Sequence, residues 1–428
     1  MQRSTYTVKR VIGTYVALNG LFTLAASLIW AINTIFLIRA GGLTLFQVML
    51  VNSIFTVGQM FFEIPTGVVA DTIGRKASML LSMATLAFST IMYVLTPVLG
   101  LGFVGFAVAS VVLGLGYTFQ TGAVDAWLVD ALDASGFASP KDRVFARGQM
   151  ASGVGMLSGS LLGGVLGQLD LSLPFVVRAV LIAGCFLVVL VFVHDFGFEK
   201  RPLRLSEFAK ESRAIFDAGV RYGWRSRVVR PLMWASALGG VFYMYGFYAW
   251  QPYVLNLLGD QSAVWLLGVA QALFSAVGIG SNALVGRIMG TGAKRRDPAK
   301  VLEMAAWADA AIVIGIAGVG FAALAPGWLP AGLAIALWLA FGAVFGISGP
   351  VRMGYLNEHI PSSQRATVLS LDAFFGDAGG SAGQPVLGRV SDRSSIQLAW
   401  LIGGAFVAMT APLYRKSGSQ AHAEREPS

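Results

Sequence analysis

Ionic side chains are scarce in this chain. Charged residues make up 12% of its 428 positions, where a soluble domain carries about 25%. That is too few to solvate a globular surface of this length. Cysteine occurs once, as Cys185 inside an apolar run, which leaves no intrachain disulfide framework and no cysteine-based metal site. Histidine occurs three times, at His194, His359 and His422, dispersed along the chain. The sequence shows no nucleotide-binding P-loop, no His/Cys metal spacing and no hydrolase triad. It therefore points to no enzyme, no cofactor and no metal.

Apolar residues are abundant instead, at 56%, with 52 glycines and a mean hydropathy of +0.69. Small residues let membrane helices approach one another, so the composition is that of a polytopic protein dissolved in a lipid bilayer. A spanning helix needs about 20 apolar residues. Twelve such runs lie near 14–38, 43–70, 76–96, 101–130, 144–168, 172–194, 231–257, 262–288, 301–324, 328–357, 365–388 and 396–414. The first continues past signal-peptide length without a clear cleavage site and is expected to be retained. A mixed-charge amphipathic segment, 195–230, holds Pro202 and divides six runs from six. The expected layout is a six-helix bundle over 1–194, a cytoplasmic linker over 195–230, a second bundle over 231–414 and a polar, disordered cytoplasmic tail over 415–428. The fold class is an all-α membrane protein of twelve transmembrane helices in two pseudo-symmetric bundles.

Orientation follows from the basic residues, which gather on the cytoplasmic side. With the N-terminus inside, Lys9, Arg10, Arg75, Lys76, Lys141, Arg143 and Arg147 fall at inward ends. So do the cations of 195–230 and the cluster Lys294, Arg295, Arg296 and Lys300. Arg39, Arg178, Arg389 and Arg393 lie at or near outward ends. Both termini are thus expected in the cytoplasm of a multi-pass plasma-membrane protein. The net charge of +9 is topological, which argues against nucleic acid as a partner.

The halves echo each other, as parallel repeats do. A shift of 219 positions places Gly67 on Gly286 and Arg75-Lys76 on Lys294-Arg295; one of 221 places Gly155 on Gly376 and Gly159 on Gly380; one of 228 places Asp130 on Glu358.

One stretch organises the rest: Glu63-Ile-Pro-Thr-Gly67-Val-Val-Ala-Asp71-Thr-Ile-Gly74-Arg75-Lys76. Gly67 clears space for a packed helix, Asp71 sets a carboxylate at the helix exit, and Gly74 permits positive φ in the turn. Arg75 and Lys76 keep the turn cytoplasmic. The spacing Gly-x-x-x-Asp-x-x-Gly-Arg-Lys resembles the signature loop between helices 2 and 3 of the major facilitator superfamily, with Thr72 where that family usually has arginine. The resemblance implies alternating access, with Gly67, Asp71, Gly74, Arg75, Lys76 and Asp130 as gating residues. In one state Asp71 would meet the N-terminus of span 11 and Arg75 would meet Asp130. Gly155, Gly159, Gly163 and Gly164 of span 5 form a smooth packing face that resembles the drug/proton antiporters of the superfamily, with Ser160 replacing proline. The arginine linked to proton handling in span 4 is absent, since Ser110 stands there.

Ionisable groups inside hydrocarbon cost roughly 2.5–3.5 kcal/mol on insertion scales and are functional candidates by default. Glu63, Asp125, Asp372 and Asp377 are the proton-coupling candidates, with Asp309 ranked last because the family fold places span 9 at the outside of the bundle. Glu63, eight residues from Asp71, lies roughly 12 Å inside the helix end, among apolar neighbours. Asp372 and Asp377 point about 140° apart and do not share one face. Each of these carboxylates could equally make a fixed structural contact. In the family, spans 1, 4, 7 and 10 line the substrate cavity, so Asn19, Asn33, Gln120, Tyr243 and Tyr245 are cavity candidates. Aromatic walls suit a hydrophobic or cationic small molecule, whereas Trp250 and Tyr253 are expected in the interfacial belt. The expectation is a monomeric transporter that exchanges protons for such a substrate outward. Its rivals are an importer or facilitator of a small metabolite and a non-transporting receptor or scaffold with the same fold.

Overall fold

In the computed structural model, residues 7–196, 217 and 220–424 are described, and among them there are helices and no strands. The apolar runs become Val8–Ser27 (α1), Asn33–Arg39 (α2), Leu45–Thr72 (α3), Arg75–Val98 (α4), Gly102–Gln120 (α5), Ala123–Ala134 (α6), Asp142–Leu169 (α7) and Leu173–Phe192 (α8). They continue as Val229–Leu258 (α9), Val264–Ala283 (α10), Val285–Met289 (α11), Pro298–Ala322 (α12), Trp328–Glu358 (α13), Arg365–Arg393 (α14), Ile396–Ala408 (α15) and Thr410–Ala423 (α16). Among the described residues, nine helical stretches are long and apolar enough to cross a bilayer.

The chain separates into two compact units. One comprises Met1–Gly42, Ile54–Leu205 and Val264–Ala272, the other Leu43–Ser53, Ser206–Ala263 and Leu273–Ser428. Residues 197–216 of the expected linker lie outside the described residues. The core of the first unit gathers Tyr15, Met79, Met83, Leu86, Trp127, Leu128, Ile182, Cys185 and Val189. That of the second gathers Val229, Met233, Leu302, Val351, Leu356 and Val368.

Glycine sets the closest helix approaches. A Cβ at Gly155 would lie 2.5 Å from the Gly20 carbonyl oxygen, one at Gly159 would lie 2.5 Å from that of Leu24, and one at Gly163 would overlap that of Leu28. Gly164 meets the backbone of Gly268. The expected glycine face is thus the seam of α7 against α1 and α10. The second unit repeats it, with Gly379 and Gly383 of α14 seated on the backbone of Ala237 and Val241 in α9.

Several expected boundaries are corrected. The run 14–38 is broken at residues 28–32, a buried turn that keeps its amides bonded: Trp30 N–H to Ser27 (3.2 Å) and Asn33 N–H to Ile29 (2.8 Å). The run 101–130 breaks at Gly122, whose φ of 74° is the left-handed conformation glycine adopts freely. The run 262–288 is interrupted at Leu284. The expected disordered tail from 415 is helical to Ala423. Its small residues fit a neighbouring helix: Gly418 packs on Ala299, and the buried Ser417 hydroxyl donates to the Val228 carbonyl (2.8 Å). Arg415 pairs with Glu303 at 2.7 Å and His422 with Asp297 at 3.1 Å. Trp250 and Tyr253 are core residues, 1% and 2% exposed. Trp250 stacks on Trp338, and Tyr253 stacks on Trp400 while donating its hydroxyl to the Ile316 carbonyl (2.6 Å).

Candidate functional site

In the first unit, the loop between α3 and α4 turns on Gly74, whose φ is 127°. Arg75 pairs with Asp71 at 2.7 Å and lies 4.0 Å from Asp130. The Lys76 amide donates to Asp195 (2.8 Å), and its ammonium donates to the Leu190 carbonyl (2.7 Å). Thr72 turns its hydroxyl back to the Val68 carbonyl (2.8 Å). A Cβ at Gly67 would meet nothing within 4 Å among the described residues. In the second unit Arg295 pairs with Glu358. These are the positions that the repeat offsets place on Lys76 and Asp130, so the same end of each unit carries an ion pair.

Glu63 is exposed, contrary to the expected burial. Its apolar neighbours do not enclose it, because Phe61 is itself 76% exposed. Hydropathy reports what flanks a side chain, not where it points. Asp125 is also exposed and accepts a hydrogen bond from the Tyr15 hydroxyl at 3.0 Å. Asn19 donates its amide to the Tyr15 carbonyl in its own helix (3.0 Å), Gln120 accepts from Ser82 (3.3 Å), and Asn33 is buried. Arg178, expected at an outward end, is 1% exposed and donates to the Tyr117 hydroxyl at 3.1 Å.

The second unit holds the tightest cluster. Asp309, ranked last from the sequence, is 2% exposed. Its Oδ2 accepts from the Tyr243 hydroxyl at 3.4 Å, and its Oδ1 has no partner among the described residues. The half-buried Tyr243 ring lies 5.7 Å from that of Phe341 and 6.1 Å from that of Phe345. Asp372 is also buried. It takes both Nη atoms of Arg352, at 2.8 and 2.7 Å, and the Ser236 hydroxyl at 2.9 Å. Arg352 donates to the Leu232 carbonyl as well (3.1 Å), and the Tyr414 hydroxyl faces its guanidinium. Asp377 is half-buried, five residues along from Asp372. Tyr245 is fully buried and bonds Ser391 (2.7 Å), so its ring walls no cavity in this state.

Arg352 was not singled out by the sequence reading. Its signal was available, because a cation inside the apolar run 328–357 carries the same insertion cost as a carboxylate. Among the described residues no group of His, Cys, Asp or Glu is arranged to hold a metal ion.

The family model of the Major Facilitator Superfamily matches residues 16–384. Among curated proteins, the class C tetracycline resistance protein of Escherichia coli is 26% identical over 365 residues, covering 82% of each chain. The class G protein of Vibrio anguillarum is 25% identical over 376 residues, covering 85% of this chain and 86% of its own. The crystal structure of the nucleoside transporter NupG, as its D323A mutant, superposes with a TM-score of 0.77 at 13% identity, covering 95% of this chain and 99% of the other. That of a D-xylose–proton symporter gives 0.71 at 14%, covering 96% and 97%. The chain belongs to the Major Facilitator Superfamily and is a secondary active transporter of the membrane, not an enzyme.

Proposed function

We propose that the protein exports a hydrophobic or cationic small molecule across the inner membrane in exchange for protons. The observation that carries this reading is Asp309, a fully buried carboxylate with an orphaned oxygen on a membrane helix. A permanent charge there would be costly, and a bound proton removes that cost. Release of the proton would restore the charge, and that difference is what an alternating-access cycle can use. The half-buried Tyr243, backed by Phe341 and Phe345, offers an aromatic wall beside this group for an apolar or cationic cargo. Curated relatives are named for resistance to tetracycline, so a tetracycline is the first cargo to test. Asp125, held by Tyr15, and the exposed Glu63 are read as accessory groups on the path rather than as the proton carrier. Twelve spans in two six-helix bundles, cytoplasmic termini and a monomeric state belong to the same reading.

Efflux of tetracycline or a fluorescent dye from energised cells, measured with and without an uncoupler, tests it. Export that the uncoupler abolishes is the expected result. Uncoupler-insensitive entry would favour an importer or facilitator instead.

The Asp71–Arg75–Asp130 loop is the proposed cytoplasmic gate. Arg75→Ala should leave the thermal midpoint nearly unchanged, because partly exposed ion pairs contribute under about 1 kcal/mol. Turnover in vesicles should fall several-fold. Equal losses in stability and turnover would make the loop a structural strut.

A further inference from the structure

Two carboxylates and one guanidinium share the interior of the second unit, and their charges balance only if a proton is held. Asp372 is fully matched by Arg352 and Ser236. Asp309 has one phenolic donor and an unpartnered Oδ1. Two hydroxyls accompany them: Tyr243 donates to Asp309, and Tyr414 faces Arg352 within electrostatic reach of both carboxylates. Tyr243 of α9 reaches Asp309, and of the helices packed on α12, α13 carries Arg352 and α16 Tyr414, while α15 carries no ionisable side chain; Asp372 of α14 pairs with Arg352. On α12 itself the nearest charge is Glu303, already paired with Arg415. Arg352 is thus the one cation among the described residues facing this cluster.

We infer that Arg352 is the movable counter-ion of the proton site. In this state its guanidinium is lodged on Asp372. When Asp309 gives its proton to water reaching the site, the new negative charge draws the guanidinium towards Asp309. The move releases Asp372 on α14 and both Ser236 and the Leu232 carbonyl on α9, contacts that now tie α13 to those helices. Arg352 is therefore a positioning residue that converts proton release into loosening of α13. The inference rests on the proton-coupled reading above.

The test is the charge-neutral double variant R352Q/D372N in reconstituted vesicles, after the wild type has shown transport driven by a pH gradient. Absence of that drive in the wild type overturns the parent reading, not this one. Removing both charges leaves neither buried alone, a change that folded proteins often tolerate. The double variant should still carry substrate down its gradient at about the wild-type rate, while uphill transport falls at least about tenfold. Wild-type uphill transport in the double variant would make the pair a strut and overturn the inference. R352K keeps a cation without the bidentate fork and guards against a folding failure. It should retain uphill transport in part, and a parallel loss of uphill and downhill transport in folded R352K would also overturn the inference.

Discussion

Asp309→Asn is expected to yield a folded transporter that moves substrate down its gradient but cannot pump it. Asparagine keeps the size of the side chain and can still accept from Tyr243, so the packing around a residue 2% exposed is preserved. What it cannot do is bind and release a proton. A carrier fixed in the neutral form has no charge difference with which to distinguish one direction from the other. Downhill flux should stay within about threefold of wild type, and uphill flux should drop at least about tenfold. The measurement compares both fluxes in vesicles with and without a pH gradient. Glu63→Gln serves as the contrast, since a side chain exposed in this state should leave pumping within about threefold of wild type. If Glu63→Gln uncouples and Asp309→Asn does not, the assignment of the proton site is wrong.

Gly163→Ala is expected to be among the most destabilising single methyl additions to this molecule. The new Cβ would overlap the Leu28 carbonyl oxygen, and Leu28 opens the turn at 28–32 that separates α1 from α2. The strain cannot be relieved by rotating a side chain, because the obstacle is backbone. Overpacking of this kind costs about 1–3 kcal/mol and occasionally more. Here α7 must lift off α1 and disturb the turn as well. Gly184→Ala is the control, since its Cβ would meet nothing within 4 Å. Thermal midpoints of the two variants in detergent, read from the loss of the monodisperse peak, check this. A marked fall for Gly163→Ala with no change for Gly184→Ala is the expected outcome, and equal midpoints would remove the seam from the account.

Helix positions were legible because a spanning run announces itself by length and hydropathy. The glycine face of α7 was legible because spacing of four places side chains on one stripe. The breaks at 28–32 and Leu284 were not, since no proline or charge marks them and tertiary packing decides where the helix yields. The end of α16 was hidden for the opposite reason. Residues 417–423 are polar in composition, yet Ser417, Gly418 and Ala421 are small enough to be buried, with Gly418 against Ala299 of α12 and Ser417 bonded to Val228. The ionisable groups of the spans were recognised as a class, but which of them are buried was not legible. Glu63 and Asp125 turn out exposed, while Asp309 faces inward to Tyr243 from a helix judged peripheral. Facing is a property of helix rotation, which a helix apolar on all sides does not record. The place of Arg352 was not legible because its pairing with Asp372 depends on how α13 meets α14, which the sequence does not record.

The most direct measurement is coupled flux in one vesicle preparation. Purified protein is reconstituted, a pH gradient is imposed, and substrate accumulation and proton movement are followed together. One pH unit is worth about 1.4 kcal/mol per proton, enough to sustain about tenfold accumulation of a neutral cargo for each proton exchanged. The account predicts accumulation of that order, with substrate moving against the protons and the gradient collapsing faster when substrate is present. Accumulation that stays at unity, with proton leak indifferent to substrate, would contradict it.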